Sequence, residues 1–374
     1  MSSAIDPYIH RKYELLCKIG QGAYGYVYKC ISHKNRKVVA LKKIFDAFQN
    51  ATDSQRTFRE ICFLQELEHE NIIRLLNVLK ADNDRDIYLV FEFMETDLHA
   101  VIRGNLLEPI HIQYIIYQIL KALKYMHSGD LIHRDMKPSN VLLNSECHVK
   151  LADFGLARSL RATSNSGPVM TDYVATRWYR SPEILVGSQH YTGAVDLWAV
   201  GCILGEALGG RPMFPGRSTM NQLARLIEVT GMPIEKDVAA LRSQFAETML
   251  GNLPPIKKRS LEEIYPHATP DALDLLKKLL CFNPDERITA EEALEHPYVA
   301  PFHNPANEPR CTKVIRIPID DNIKYSVDDY RTRIYQAVIR RKKEMKKRQR
   351  AVRATRSRSR KSTGAANSSN YKRK

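Results

Sequence analysis

The 374-residue chain is 44% hydrophobic and 26% charged, enough apolar material to bury a large core without disulfides or a structural metal. Its seven cysteines, Cys17, Cys30, Cys62, Cys147, Cys202, Cys281 and Cys311, are odd in number and never fall in a CxxC or Cys/His spacing, which excludes a disulfide framework or zinc module and suits a reducing, intracellular compartment. The net charge of +15 suggests nucleic acid until it is located: residues 340–374 hold 16 Lys/Arg against Glu344 alone, and the rest of the chain is neutral. The start, MSSAIDPYIHRKYE, has no signal-peptide core, and apolar runs of about eighteen residues are absent, so neither secretion nor a membrane span is expected.

From the N-terminus, YELLCKIG, YGYVYKC and KVVALKKI are β-branched or aromatic runs separated by glycines or by the polar SHKNRK, and read as strands of a small sheet. TDSQRTFREICFLQEL switches to helical spacing, with Phe58, Ile61, Cys62, Leu64, Gln65 and Leu67 on an inward face and Thr52 or Asp53 as N-cap. IIRLLNVLKA and DIYLVFEFM return to strand. After Glu95 the texture is helical: IQYIIYQILKALKYMHS carries apolar residues at i, i+3 and i+4, and VDLWAVGCILGEALGG is a second apolar helix. A small β-rich lobe followed by a larger α-rich one is expected, without solenoid repeats, and the segment from Arg340 onward cannot form a core.

Gly20-Gln21-Gly22-Ala23-Tyr24-Gly25-Tyr26-Val27 reads GxGxxGxV. Alone, the pattern fits a plain glycine turn or a dinucleotide fingerprint equally well. Its place between two strands, and Lys42 in the following VALKK strand, point instead to a loop that covers phosphates, where missing Cβ atoms let backbone NH groups come close. Lys42 would neutralise phosphate charge and Glu60 would orient it through an ion pair. The ordinary alternative is a solvated surface charge, from which Lys42 is set apart by its apolar strand and Glu60 only by its position. His133-Arg134-Asp135-Met136-Lys137-Pro138-Ser139-Asn140 is HRDxKxxN. Asp135 can accept or orient a hydroxyl proton, Lys137 can hold a transferring phosphoryl group and Asn140 can ligate Mg²⁺. Asp153-Phe154-Gly155 follows and supplies a second oxygen ligand.

With these residues in place the chain resembles a eukaryotic protein kinase from about Tyr13 to Tyr298. SPE, Ser181 to Glu183, stands where APE is usual; DLWAVGC follows at Asp196 to Cys202; and Arg287 falls where the family pairs an arginine with the glutamate that is here Glu183. The resemblance implies an α+β, bilobal protein kinase fold: a small β-rich N-lobe over 13–94 with one regulatory helix, and a larger α-helical C-lobe over 95–302. The C-lobe would contain the activation loop, 153–183, and a helical insert from Met232 to Ala268. Flanking these would be an N-terminal extension, 1–12, a C-terminal extension packed on the kinase body, 303–339, and the basic tail, 340–374. The implied cofactors are ATP and Mg²⁺. Ile19, Gly20, Gln21, Gly22, Ala23, Tyr24, Gly25, Tyr26 and Val27 would roof the nucleotide, Ala40 and Leu142 sandwich adenine, Met94 offer hinge contacts and Asp97 reach the ribose. Phe91 falls at the gatekeeper position and would narrow the pocket behind adenine. A catalytically dead kinase fold is the alternative, against which stands the retention of Lys42, Glu60, Asp135, Asn140 and Asp153.

In MTDYVATRWYRSPE, Thr171-Asp172-Tyr173 gives the TxY arrangement that resembles mitogen-activated protein (MAP) kinases. A phosphate adds about −1.5 to −2 charges and three acceptor oxygens, which guanidinium groups bind in pairs. The resemblance implies that phospho-Thr171 gathers Arg59, Arg134 and Arg158, closing the lobes, and that phospho-Tyr173 meets Arg177 and Arg180. The latter contacts shape a pocket for proline, which lacks an NH, so Ser/Thr-Pro substrates are implied. Cyclin-dependent kinases are the rival within the class; they share WYR but carry a cyclin-binding signature absent from TFREICFL. KKIFDAFQNATDSQRTFREI, NDRDIYLVFEFMETDLHAVIR and HYTGAVDLWAVGCILGEALGGRPMFPG are similar to the atypical extracellular-signal-regulated-kinase seven/eight subgroup, which implies activation by autophosphorylation. TDY for TEY and HRDM for HRDL are departures that conserve charge or apolarity.

Conventional MAP kinases present an acidic docking patch after the core, whereas HNPANEPRC offers only Glu308 and adds Arg310, so phosphatases and other docking-motif partners are expected to bind weakly. Tyr330, Ile334 and Val338 at i, i+4 and i+8 form a stripe that can lie on the kinase body. Tyr335-x-x-Val338 also fits a loose docking pattern of a kind frequent by chance. The tail reads first as a nuclear import signal, placing the protein in cytoplasm and nucleus. Second is nonspecific contact with nucleic acid or anionic lipid, at about 10⁻⁴ to 10⁻⁶ M and strongly salt-dependent; third is a solubilising extension. It has no aromatic residue before Tyr371 to stack a base. From another class, the rival is a kinase-fold scaffold whose basic tail carries the biology.

Overall fold

The computed structural model describes residues 5–22, 25–161, 176–190, 192–343 and 347. Strands β1 (Tyr13–Gly22), β2 (Gly25–Ser32), β3 (Val38–Ile44), β4 (Leu75–Lys80) and β5 (Ile87–Glu92) form one antiparallel sheet in the order β1-β2-β3-β5-β4. The strand period of two decides what each face carries. Val39 and Leu41 of β3 point into an outer cluster with Cys30, Tyr88 and Val90, covered by Ile9 of the short helix α1 (Pro7–His10). Ala40 and Ile44 face the main core on the other side, and Lys42 lies between them. Antiparallel register sets Ala40 opposite Phe91 and Lys42 opposite Leu89, which fixes the back wall of the interlobe cleft.

Helix α2 (Ala51–Glu66) crosses behind this sheet. Its N-cap is Asn50, in an extended conformation with its side-chain oxygen accepting Asp53 N at 2.9 Å; Thr52 and Asp53 sit in the first turn. Asn caps as well as Asp does, and Asp53 then complements the positive end of the helix dipole, so the start lies two or three residues earlier than expected. The helix is also buried on more than its expected inward face, with Gln55, Arg59, Glu60 and Phe63 as enclosed as Phe58 and Ile61. Glu60 is turned to Lys42 of the sheet, while the C-terminal extension covers Gln55 and Arg59 through Asp321 and packs on Phe58. Ile315, Ile317 and Ile319 alternate into the core, Ile315 against Gly129, where a Cβ would come within 2.6 Å of the isoleucine side chain. A helix over 327–343 then lies on α2 with Tyr330, Ile334 and Val338 buried as the stripe predicted, the Tyr330 and Phe58 rings 5.7 Å apart. Tyr335 is turned to Phe48, the ring centroids 6.4 Å apart, and packs at the edge of the core.

The C-lobe is helical: α3 (Leu98–Arg103), α4 (Pro109–Ser128), α5 (Pro182–Leu185), α6 (Ala194–Gly209) and α7 (Thr219–Thr230) lead into shorter helices that end with Ala290–Leu294. Apolar on all sides, α6 is buried from Val195 to Glu206, as a central helix must be. The insert is not one continuous helix. It breaks into Glu235–Ala240, Ala246–Gly251 and Leu261–Ile264: Arg242, at φ 51°, leaves helical backbone at the first break, and Pro254 and Pro255 cannot continue the hydrogen-bond ladder at the second. Among the described residues no helix is long and apolar enough to cross a membrane.

One buried ion pair ties the C-lobe together. Arg287 meets Glu183 of α5 in two bonds, Nη1 to Oε1 at 2.8 Å and Nη2 to Oε2 at 3.1 Å, and also donates to the carbonyls of Ala194 and Cys281. Neither side chain is more than 2% exposed, so each charge depends on the other. Replacing one partner strands the other: Arg287→Ala is expected to lower the unfolding free energy by about 3–5 kcal/mol, read from urea titration midpoints. A loss under about 1 kcal/mol would show that the pair is not holding α5 against the rest of the lobe.

Candidate active site

Short strands bring the polar residues together. Strands β6 (Thr96–Asp97), β8 (Val141–Leu143) and β9 (Val149–Leu151) form one small sheet, and β7 (Leu131–Ile132) pairs with β10 (Arg158–Ser159). The segment between β7 and β8 contains His133 to Asn140. Arg134 there adopts the left-handed conformation, φ 66°, which costs a non-glycine residue about 1–3 kcal/mol unless its surroundings impose it. Asp196, in the first turn of α6, imposes it: its carboxylate accepts His133 N and Arg134 N at 2.8 Å each and lies 2.9 Å from His127 Nε2. Burial pushes the Asp196 carboxyl up, but the His127 hydrogen bond and charge, with His133 beside them, leave it below its ordinary value.

His133 spans the loop and the following segment. Its Nδ1 accepts Asp135 N at 3.2 Å and its Nε2 donates to Ala152 O at 3.0 Å, which assigns the Nε2–H tautomer. Asp135 Oδ2 is 2.9 Å from Lys137 Nζ and accepts Asn140 Nδ2 at 3.1 Å; Asn140 Nδ2 also donates to Asp135 O at 2.7 Å. Asp135 Oδ1 is buried and has no hydrogen-bond partner among the described residues. A buried acceptor left alone is costly, and a hydroxyl donor is the group that relieves it. Asn140, with Nδ2 committed to Asp135, keeps Oδ1 for a cation.

Asp153 also has positive φ, 62°. Burial favours its neutral form, yet Lys42, Arg56 and Lys137 outweigh that and hold its carboxyl at about 2. It is an anion at any working pH, with Arg56 Nη2 at 3.3 Å. Across the cleft Lys42 Nζ meets Glu60 Oε1 at 2.9 Å and Oε2 at 3.2 Å. Burial depresses the Lys42 ammonium, but Glu60 and Asp153 more than reverse it, so the lysine stays charged. A cavity of about 350 Å³ lined by Gly22, Val27, Lys42, Glu60, Arg56 and Asp153 lies under the β1–β2 hairpin. Only Gly25 of the three motif glycines is demanded by packing, since a Cβ there would sit 1.8 Å from Lys43 O; Gly22 opens on empty space. Ile19, Gly20 and Gln21 lie along β1, Tyr26 beside them on β2, and Ala40 and Leu142 remain partly exposed, with Met94 buried. Asp97 is the N-cap of α3, one oxygen accepting Ala100 N at 2.9 Å.

Among the arginines expected to read phosphate, Arg59 and Arg158 are brought together, both on the carboxylate of Asp321. Arg134 is buried near them, its Nη1 directed at Leu156 O at 3.4 Å. Arg177 starts a 3₁₀ turn, Arg177–Tyr179, with Nη1 directed at Arg217 O at 3.5 Å, and Arg180 follows it, buried. Thr171, Tyr173, Ala23 and Tyr24 lie outside the described residues, as do 344–346 and 348–374 of the tail. Sequence reasoning missed Arg56, the supporting role of Asp196 and all of Asp321. Arg56 was findable, four residues before Glu60 on one helix face.

The protein kinase domain family matches residues 13–299. The chain is 66% identical to Extracellular signal-regulated kinase 2 of Dictyostelium discoideum over 93% of its length and 95% of that protein. It is 54% identical to Mitogen-activated protein kinase 15 of Xenopus laevis over 92% of its length, and 43% identical to Extracellular signal-regulated kinase 7 of Drosophila melanogaster over 90%. It spans 60% and 38% of those two relatives.

Because the folded carboxyl of Asp196 titrates below its unfolded value, the stability it contributes is complete above about pH 4 and fades as pH falls below that. Asp196→Asn keeps the shape and removes the charge. The gap in urea midpoint between wild type and Asp196→Asn should therefore stay wide from pH 7 down to about pH 4 and narrow only below that. A gap independent of pH would mean that the charge of Asp196 does not hold the loop.

Proposed function

Because the chain belongs to the protein kinase family, and within it to the mitogen-activated protein kinases, it is a protein serine/threonine kinase; we propose that it modifies Ser/Thr-Pro sites and activates itself by phosphorylating Thr171 and Tyr173. The observations that carry this reading are the closed Lys42–Glu60 pair and a buried Asp135 oxygen without a hydrogen-bond partner among the described residues.

Asp135 Oδ1 takes the proton of the attacking hydroxyl or orients it, a role worth about 10²–10⁴ in rate. Lys137, 2.9 Å from the other Asp135 oxygen, lies where it can neutralise charge on the group being transferred. Lys42, aimed by Glu60, binds the upstream phosphates under the glycine hairpin. Asp153 and Asn140 are hard oxygen donors that fit Mg²⁺, and the low proton affinity of Asp153 spares the metal any competition from H⁺. When bound, Mg·ATP supplies the phosphoryl group and a cation to draw off its charge. Ala40 and Leu142 hold adenine between the lobes, Met94 lies at the hinge, and the second oxygen of Asp97 is left for the ribose.

The setting of the acid in HNPANEPRC supports the reading of weak docking. Glu308 is enclosed, accepting Asn304 N at 2.9 Å, 2.9 Å from His303 Nδ1 and 3.5 Å from Lys124 Nζ, and Arg310 is paired with Glu291 at 2.7 Å. Basic docking segments of phosphatases or upstream kinases find little to attract them there, which favours self-activation. The basic segment 340–374 is read as a nuclear import signal that also permits salt-dependent contact with anionic surfaces, so the kinase works in cytoplasm and nucleus.

Phosphopeptide mass spectrometry on phosphatase-stripped protein given Mg·ATP tests the reading. Phosphate should return to Thr171 and Tyr173 in the wild type, and Asp135→Asn should slow its return by about 10²–10⁴-fold. Equal phosphorylation of the two proteins, or none in either, would overturn self-activation and require a separate activating kinase.

A further inference from the structure

Asp321 stands in the extended segment between Ile319 and the helix over 327–343. Its neighbour Asp320 turns away and accepts Asn322 N at 3.0 Å, while Asp321 reaches into the gap between the lobes. Arg59 Nε donates to Asp321 Oδ1 at 2.8 Å and Oδ2 at 3.0 Å, and Arg158 Nη1 donates to Oδ2. Gln55 Nε2 completes the seat, bonded to Oδ1 at 3.3 Å and to the Asp321 carbonyl at 3.1 Å; that carbonyl also takes Arg158 Nη1 at 3.2 Å. Gln55 and Arg59 belong to α2 in the N-lobe, and Arg158 to β10, just past Asp153-Phe154-Gly155. One carboxylate therefore fastens the helix that carries Glu60 to the segment that carries the metal-binding aspartate.

The seat is built for an anion. Both arginine side chains are at most 8% exposed, and burial, with the charges of Arg158 and Arg134 nearby, brings the Arg59 guanidinium down to about 10 despite Asp321. Among the described residues, Asp321 is the acid that pairs with both of these buried arginines, and Arg134 adds a further positive charge nearby. Arg59 Nη2 and Arg158 Nε remain buried without hydrogen-bond partners among the described residues. The cluster is thus under-neutralised and has donors to spare for a stronger anion.

We propose that Asp321 is a positioning residue that stands in for the activation-loop phosphate: it joins Arg59 to Arg158, so that Glu60 already holds Lys42 in the unphosphorylated kinase. The basal activity that results is what lets the enzyme phosphorylate its own loop. A phosphate then brings about twice the charge and takes over the arginines, after which Asp321 is dispensable. This inference rests on the reading of Thr171 as the activating site.

Full-length protein carrying Thr171→Ala provides a kinase that cannot acquire that phosphate. Adding Asp321→Asn should lower its kcat on a Ser-Pro peptide about tenfold or more, the scale of a lost charge-assisted hydrogen bond, with little change in the peptide KM. Asp321→Glu, which keeps the charge, should recover part of the loss, which a merely structural defect would not do. In a Thr171 background, Asp321→Asn protein phosphorylated in trans by wild-type enzyme should come within about twofold of phosphorylated wild type. The proposal is overturned if Asp321→Asn leaves kcat within twofold in the Thr171→Ala protein, or if its deficit is as large after Thr171 is phosphorylated. Should wild type gain no activity on Thr171 phosphorylation, the reading of Thr171 fails, while the Thr171→Ala comparison still decides the role of Asp321.

Discussion

The Lys42–Glu60 ion pair is the contact on which the rest of the site depends. It joins a strand to a helix, and its geometry is right only if α2 sits at one depth and one rotation against the sheet. The pair cannot set that position by itself. Lys42 is 27% exposed, and a partly solvated pair gives back in desolvation and side-chain entropy much of what it gains in attraction. Packing places α2, and the ion pair reports that the placement is correct.

That packing comes from two directions. On one side Glu60 faces the sheet at Lys42, and the helix joins a core that runs through Leu89 and Phe91 of the sheet and on into the C-lobe. On the other, the C-terminal extension returns across the whole molecule to lay Tyr330 and Ile334 on the helix, and the Asp321 carboxylate on its arginine. Below the cleft the geometry is held differently. Asp196 and the Glu183–Arg287 pair anchor the His133–Asn140 segment and α5 to the buried α6, so the lower half of the site is built on a buried helix.

Much of this was legible in the residues because the chemistry is local. Asp135, Lys137 and Asn140 lie within six positions, and the structure joins them by direct hydrogen bonds. Lys42 was legible because it sits in an apolar strand, and Glu60 only through its position on the following helix. Where the reading slipped, two features of similar strength competed, as Asn50 did with Thr52 and Asp53 for the cap, or a proline pair interrupted a helical texture, as in the insert. The second burial face of α2 was illegible from its own sequence, since the side chains that cover it lie far away in the chain. Asp321 is the extreme case: it is 262 residues from Arg59, in a short IDDN run with no period, and only the fold makes that acid different from Asp320 beside it.

The central claim is that α2 is already docked before any phosphate reaches the loop, and native-state amide hydrogen exchange on the dephosphorylated, full-length protein tests it most directly. Amides from Phe58 to Leu64 should exchange as slowly as those of α6, through global unfolding, because the helix is buried on both sides and fastened at Arg59. Fast exchange across α2 in the dephosphorylated protein, slowing only after the loop is phosphorylated, would contradict the account.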